Sequence, residues 1–364
     1  MKRRTFLRLT GALASLGLPW NSLAEQYRTA KDSAVLPPEG SLNQCQINVE
    51  PWDMVVGNTV FKLVGVGGGG GSTVERMIRE GYRGIEYICC DTDLGELTRS
   101  SAPIKLLLGS GTCSGGNAEI SRQFARLERS RIAETLAGAH MVFITAGLGG
   151  GTGTGAAPIV AEVARELGIV TVALVTKPFV CEGNRSLIAE AGAIELARHV
   201  DALITIPQEM LMDADNDEVG MEYAKGLSDD LLKNTITGMI DIVNRQDLVG
   251  VDFDDIRSIM VDSHGWGRVA SSTASGRNRA SRAASAVMSS PLLQVSDIDH
   301  ECNYLVIMTG SRSLGLDVYR EVMGNIRNGT SSCSTVIAGV VMVDSMRDDL
   351  RVTVVALGKH QQSS

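Results

Sequence analysis

Short apolar runs alternate with amphipathic stretches through the first two thirds of the chain. Apolar runs bounded by glycine or polar residues are typical of buried strands. The stretches between them carry apolar residues at helical spacing, as in 156–167. This alternation predicts an α/β protein with a Rossmann-like, doubly wound parallel sheet and helices on both faces. The predicted strands are 60–66, 85–90, 104–108, 141–146, 169–175 and 201–206, and the predicted helices are 72–80, 156–167 and 185–198.

A long helical pattern then runs from Val219 to Gln246, with Leu231, Ile236 and Ile240 among its apolar positions. Beyond it the pattern changes to one of separate strands and helices, which predicts a smaller α+β domain. We expect strands at 304–308, 334–341 and 350–357, and helices near 277–289 and 314–327. The expected organisation is an N-terminal extension (1–58), a nucleotide-binding domain ending in the central helix (59–246), the α+β domain (247–358) and a short polar tail (359–364).

The chemistry is concentrated in the glycine-rich stretch Gly149–Gly155, which lies between a predicted strand and a predicted helix. Its glycines permit a tight loop of backbone N–H groups, its two threonines add hydroxyl donors, and the helix start adds a positive dipole end. This combination predicts a phosphate-binding site. A second such turn, Gly67–Gly71, follows the first strand; with Asp91 and Asp93 further on, it also fits the opening of a dinucleotide-binding fold, which remains the alternative.

Composition and charge narrow the range of partners. The chain has 364 residues, 44% hydrophobic and 21% charged, as in ordinary globular proteins. Its net charge of −8 argues against nucleic acid as the main partner, and no apolar run reaches the roughly 20 residues of a membrane helix. Seven cysteines without metal-ligand spacing favour reduced thiols in the cytoplasm and no protein metal site.

The first 25 residues instead suggest export from the cytoplasm, because Arg3-Arg4 followed by an apolar stretch is similar to a twin-arginine export signal. A protein that uses nucleoside triphosphates would find none outside the cytoplasm. We therefore expect either an unused signal or a translation start further downstream, and a cytoplasmic protein.

The two glycine turns in this order, with Val175-Thr176-Lys177-Pro178-Phe179 downstream, resemble the tubulin/FtsZ family over residues 50–358. This resemblance implies a GTPase that takes GTP as substrate, with Mg²⁺, and polymerises head to tail with copies of itself. It also implies a role in cell division or septum formation, at the division site in the cytoplasm.

The resemblance further assigns roles to residues of the nucleotide site. Glu182 and Arg185 would reach the ribose, unless they are only a solvated surface pair. Gln208 and Asp230 would face the guanine, and a carboxylate can accept hydrogen bonds from the N1 and N2 donors of that base. The phosphates would be held by Gly68, Gly69, Gly70, Gly71 and Ser72 and by Gly149, Gly150, Gly151, Thr152, Gly153, Thr154 and Gly155.

The loop after the long helix, Val251-Asp252-Phe253-Asp254-Asp255, resembles the catalytic loop of the family, whose acids orient the attacking water on a neighbour's nucleotide. Helix length supports this arrangement, since the stretch from Asp230 to Gln246 is roughly 24 Å long at about 1.5 Å per residue. Asp252 and Asp255 would then act on a second subunit, in an open filament. The alternative is that both acids only stabilise the start of the next helix.

Several positions depart from the family pattern. Ser72, Gln208 and Gly250 each stand where the family usually has Asn, Lys225 replaces an aromatic residue, and the turn 113–117 is shortened. We expect a weakened guanine preference and slow hydrolysis. The family's linker and C-terminal peptide do not follow Gly358, which suggests a divergent or accessory member. The alternative function is a non-hydrolysing filament module that copolymerises with, or regulates, a full-length relative.

Overall fold

The structure is a computed structural model that describes residues 59–358, apart from 112, 212–220, 246–248, 263–264, 294–301 and 332–333. The predicted N-terminal extension, the polar tail and both predicted ends of the central helix lie outside the described residues.

One sheet runs through the described part of the chain. Its strands are β1 (Phe61–Val66), β2 (Glu86–Asp91), β3 (Ile104–Leu107), β4 (Met141–Gly147), β5 (Val170–Lys177), β6 (Ala202–Pro207), β7 (Gly265–Ser275), β8 (Asn303–Gly310), β9 (Val336–Met342) and β10 (Asp349–Gly358). Their order across the sheet is β3-β2-β1-β4-β5-β6-β7-β10-β8-β9. Strand β10 is antiparallel to β7 and β8, and the other neighbouring pairs are parallel.

Helices connect these strands. They are α1 (Gly67–Arg79), α2 (Leu94–Arg99), α3 (Ala118–Leu127), α4 (Arg129–Leu136), α5 (Gly151–Glu166), α6 (Asn184–Ala197), α7 (Met221–Asn244), α8 (Phe253–Asp262), α9 (Arg279–Met288) and α10 (Leu316–Asn328). The central helix α7 has 24 residues, which makes it about 36 Å long. Among the described helices, none combines the length and the apolar character needed to cross a membrane.

Apolar side chains bury both faces of the sheet. Leu63 and Phe143 belong to the core on the side of α7, whereas their neighbours Val64 and Ile144 belong to the core on the side of α5. Successive residues of a strand point to opposite faces, so strands buried on both sides read as continuous apolar runs. The prediction of a doubly wound α/β sheet is confirmed.

The helix boundaries after the two glycine turns were predicted wrongly. Helix α1 begins at Gly67 instead of Ser72, and α5 begins at Gly151 instead of Ala156. The glycines thus form the first helical turns. Glycine has low helix propensity, which hides these turns in the sequence. Strand β7 was not predicted either; it pairs in parallel with β6 and joins the later strands to the same sheet.

The glycines of α1 are expected to differ sharply in what they tolerate. A Cβ added at Gly70 would lie 2.1 Å from the Thr145 carbonyl oxygen, whereas one at Gly71 would meet nothing within 4 Å. We expect Gly70→Ala to lower the free energy of unfolding by about 1–3 kcal/mol or more, and Gly71→Ala to raise it by up to about 1 kcal/mol. Urea unfolding of the nucleotide-free proteins measures both, and equal effects would contradict this packing.

Candidate functional site

Two glycine-rich helix starts meet at the carboxyl edge of the sheet. Strand β1 leads directly into α1, and its neighbour β4 leads through Leu148–Gly150 into α5. A Cβ added at Gly67 would lie only 2.9 Å from the backbone nitrogen of Gly153, so the two turns are in contact. Each helix start presents unbonded N–H groups and a positive dipole end. The pair is therefore chemically suited to bind an anion.

The glycines of α1 fall into two groups. Gly67 has a φ of +71°, which favours glycine, and Gly69 would place a Cβ 2.9 Å from the backbone of Gly147. Backbone packing requires these positions to lack a side chain, as it does Gly70. Gly68 and Gly71 instead face open space, with nothing within 4 Å of an added Cβ. Bare backbone at these two positions is left for a ligand.

The start of α5 shows the same division. Gly149 has a φ of +92°, and a Cβ at Gly153 would lie 2.4 Å from the Gly147 carbonyl oxygen. Gly155 packs against α3, where a Cβ would lie 1.9 Å from the carbonyl oxygen of Ala118. A Cβ at Gly151 would meet the Ser114 hydroxyl at 2.5 Å, so the shortened turn 113–117 covers this helix start. Gly150 faces open space.

The two threonines of α5 have different surroundings. Thr154 is buried, and its hydroxyl accepts a hydrogen bond of 2.9 Å from the backbone N–H of Gly149. This hydrogen bond connects the beginning of the turn, at Gly149, to the first helical turn of α5. The Thr152 hydroxyl lies 2.9 Å from that of Thr92 and donates to Asp91 Oδ1 at 3.3 Å. Thr152 therefore links the two glycine-rich helix starts to the end of β2.

Asp91 brings a carboxylate to the same edge. Its Oδ1 also accepts from the backbone N–H groups of Thr92 and Asp93, at 2.7 and 3.1 Å. Burial raises the pKa of Asp91 above its ordinary value, against the lowering effect of these hydrogen bonds. Asp91 lines a cavity of about 230 Å³ together with Gly67, Gly68, Gly71 and Ser72.

The residues predicted to reach the ribose lie beside the second turn. A Cβ at Gly149 would lie 2.7 Å from the Arg185 carbonyl oxygen, which places the start of α6 against that turn. Glu182 accepts from the backbone N–H of Phe179 at 3.0 Å and forms an ion pair with Arg185. Gln208 begins a 3-10 helix directly after β6, at the same edge of the sheet.

Asp230 shares one carboxylate oxygen between two cations. Its Oδ1 lies 2.7 Å from Arg76 Nη2 and 3.2 Å from Lys233 Nζ, and Lys233 also bonds Glu80. These contacts tie α7 to the middle of α1, beyond its glycine-rich start.

Asp229, which the sequence did not single out, lies nearer the open glycines. Its two carboxylate oxygens accept hydrogen bonds from the hydroxyls of Ser72 and Thr73, each at 2.8 Å. Ser72 directly follows Gly71 and lines the cavity. Lys225 is exposed four residues earlier on α7, and side chains at this spacing lie on the same face of a helix. This face of α7 therefore borders the phosphate turn.

The acidic loop is held by its apolar residues. Val251 is buried, and Phe253 packs against the core, while Asp252, Asp254 and Asp255 are exposed. The predicted alternative role of the acids is partly realised, because Asp255 Oδ2 accepts from the Asp252 N–H at 3.2 Å at the start of α8. Despite this hydrogen bond, all three aspartates remain exposed to solvent.

The acidic loop and the glycine-rich turns lie at opposite edges of the sheet. The Phe253 ring contacts Phe61, the first residue of β1, and His140, which precedes β4, with both centroid distances at 6.4 Å. The glycine-rich turns follow the other ends of these two strands. Six residues of β1 span roughly 20 Å. Within one copy, Asp252 and Asp255 therefore stay away from the phosphate turns.

A doubly wound parallel sheet with paired glycine-rich helix starts, joined by one long helix to a further β-rich half, defines a nucleotide-binding protein of the tubulin-like class. Residues 60–216 match the GTPase domain of the tubulin/FtsZ family, and residues 265–360 match the C-terminal domain of the FtsZ family. The chain belongs to the FtsZ family, which confirms the resemblance seen in the sequence.

Individual relatives agree. The chain is 42% identical to the cell division protein FtsZ of Buchnera aphidicola subsp. Schizaphis graminum over 306 residues, which cover 83% of this chain and 79% of the relative. It is also 42% identical to the cell division protein FtsZ of Pseudomonas aeruginosa over 311 residues, with coverages of 84% and 79%.

Solved structures show the same fold. An empty FtsZ dimer of M. jannaschii superposes with a TM-score of 0.78 at 34% identity, covering 83% of this chain and 89% of that one. CetZ2 from Haloferax volcanii, solved as a GTPγS-bound protofilament, gives a TM-score of 0.69 at 18% identity, with coverages of 84% and 95%. The second likeness bears on the fold alone.

The open position at Gly71 allows a direct test of the anion site. Gly71→Asp should fold, because its Cβ meets nothing within 4 Å. We expect GTP affinity to fall at least about ten-fold, since a like charge at roughly 4 Å costs about 1–4 kcal/mol. Gly324→Asp is the matched control, because Gly324 is also open but lies on α10. Titration with a fluorescent GTP analogue measures both variants, and equal affinities would contradict the assignment.

Proposed function

We propose that this chain binds and hydrolyses GTP, assembles head to tail into filaments and acts in cell division. The name shared by the relatives reported above, cell division protein FtsZ, supports the biological setting. One observation carries the rest: the glycine-rich turns and the acidic loop lie at opposite ends of β1 and β4. One copy cannot bring them together, whereas two copies stacked in the same direction can. Such a contact repeats without closing.

In this proposal the phosphates lie against the open backbone of Gly68, Gly71 and Gly150 and the two helix N-termini. Hydrogen bonds from backbone N–H groups and both dipole ends stabilise the negative charge. The Asp91 carboxylate suits Mg²⁺, which prefers oxygen ligands and is usually held by one or two carboxylates together with substrate phosphates. The described residues contain no cluster of three metal-ligating side chains, and in this proposal the phosphates and water supply the remaining ligands. Bound Mg²⁺ would neutralise phosphate charge.

Hydrolysis requires a water placed in line with the γ-phosphate. Asp252 and Asp255 of the neighbouring copy would orient this water, and a carboxylate would accept its proton as oxygen attacks phosphorus. The bond to the β–γ bridging oxygen breaks, which gives GDP and phosphate. Positioning dominates such a reaction. Turnover is slow in this proposal, since Gly250 offers no side chain to the water and Asp255 already accepts from its own loop.

The base would be recognised from α7. Asp229 sits beside the open glycines, and each of its oxygens accepts one hydrogen bond and retains a lone pair for the N1 and N2 donors of guanine, whereas Asp230 is held by two cations beside the middle of α1. We assign the role predicted for Asp230 to Asp229. Lys225, one turn earlier on the same face, offers no aromatic surface for stacking, so the preference for guanine is weakened.

Replacing the two neighbouring aspartates one at a time should show which of them recognises guanine. Asp229→Ala is expected to weaken GTP binding about ten- to hundred-fold with little change for ATP, because a hydrogen bond to a charged group contributes about 1.5–3 kcal/mol. Asp230→Ala should leave both affinities within about two-fold and lower stability by under about 1 kcal/mol, as for an exposed ion pair. Competition titrations with GTP and ATP measure this, and the reverse pattern would return the role to Asp230.

A mixing experiment tests the shared site. Asp255→Ala keeps the nucleotide edge and loses an acid, while Gly71→Asp keeps the acids and loses the nucleotide edge. We expect each to turn over GTP at least about ten-fold more slowly than wild type, and the mixture to recover activity at junctions between the two. A mixture as slow as its components would contradict catalysis across copies. Wild-type protein that assembles without hydrolysing GTP would favour the alternative, a filament module that copolymerises with a full-length FtsZ.

A further inference from the structure

His140 is held firmly at the acidic edge of the sheet. Its backbone N–H donates to the Val60 carbonyl oxygen at 2.9 Å, and its own carbonyl accepts from Val170 at 3.2 Å. The ring is fixed as well, because Nδ1 accepts from the Val60 N–H at 3.0 Å. A ring held through Nδ1 as acceptor carries its hydrogen on Nε2 when neutral. His140 is thus part of the frame formed by β1, β4 and β5.

The His140 ring contacts the acidic loop. Phe253 contacts His140 edge-on, with centroids 6.4 Å apart and planes at 82°, and contacts Phe61 at 70°. Phe61 in turn stacks on Phe143 at 6.3 Å. The row of rings connects the core of the sheet to the one aromatic residue between Asp252 and Asp254.

We propose that His140 is a positioning residue for GTP hydrolysis, which sets the direction of the catalytic acids through Phe253. The inference rests on the proposed function. Phe253 is the first residue of α8, so a displacement of its packed side chain would shift the helix start, and with it Asp252 and Asp255. Val251 anchors the loop on the other side, where its Cγ2 would lie 3.0 Å from a Cβ at Gly339. The acidic loop is thus packed on one side against His140, beside the start of β4, and on the other side, through Val251, against β9.

Three variants distinguish the effect of the His140 ring from the effect of its hydrogen bond. His140→Phe keeps a ring for Phe253 and loses the acceptor, His140→Asn keeps an acceptor and loses the ring, and His140→Ala loses both. We expect turnover per assembled subunit to fall about two- to ten-fold in the alanine and asparagine variants and to stay within about two-fold in the phenylalanine variant, from the size of aromatic edge contacts. GTP affinity of the monomer should not change, because the phosphate turns lie at the other edge.

His199→Ala is the matched control. His199 also precedes a strand at this edge, β6, but its ring lies beside Glu195, with Nε2 3.8 Å from the Glu195 Oε1 atom. Its turnover should equal that of wild type. Thermal unfolding and monomer affinity establish that each variant is folded, and the asparagine variant, which also lacks the ring, serves if alanine does not fold.

A double-mutant cycle decides whether His140 acts through the acids. In an Asp255→Ala background, His140→Ala should cause a smaller loss of turnover than it does in wild type, because only Asp252 is left for it to position. A full additional loss in that background, or wild-type turnover in His140→Ala and His140→Asn, would overturn the inference. If Asp255→Ala itself hydrolyses GTP at the wild-type rate, the proposed function fails. If Asp255→Ala is slow and His140→Ala is not, only the inference about His140 fails.

Discussion

The close approach of two helix N-termini to the ends of β1 and β4 is the constraint on which the molecule depends. A side chain at Gly70 would strike the Thr145 carbonyl at 2.1 Å, and one at Gly153 would strike the Gly147 carbonyl at 2.4 Å. These glycines let helices start directly against strand ends. Backbone N–H groups are thereby gathered at one edge, where Gly68, Gly71 and Gly150 face open space. In the proposed function, the phosphates lie against these open glycines, whereas the other glycines of the same two runs serve packing.

The sequence predicted the fold well where apolar runs were buried on both faces, as in β1, β4, β5 and β6. It failed where local pattern was weak. The glycine runs concealed helical turns, and α4 carries only Ile132 and Leu136 as buried apolar residues among charged ones. Strand β7 mixes serine, threonine and glycine, and its pairing with β6 is a long-range contact that local propensity does not encode.

The direction of side chains was the other feature that could not be predicted from the sequence. Asp229 and Asp230 are neighbours, but one residue turns the direction by about 100° on a helix. One carboxylate therefore meets Ser72 and Thr73, and the other meets Arg76 and Lys233. The sequence alone does not show that these two neighbouring aspartates have different partners. The contact between His140 and Phe253 was equally hidden, since it joins residues far apart in the chain through the ends of two strands.

The placement of the two half-sites at opposite ends of one strand pair has a consequence for stoichiometry. In the proposed filament, one terminal subunit offers its glycine edge to solvent and the other terminal subunit offers its acids. A filament of n subunits then holds n − 1 complete sites. Activity per subunit becomes a measure of filament length, and the nucleotide at one end outlasts all the others. Because β1 and β4 pair in parallel, every copy carries its glycine turns at one end of this strand pair and its acids at the other.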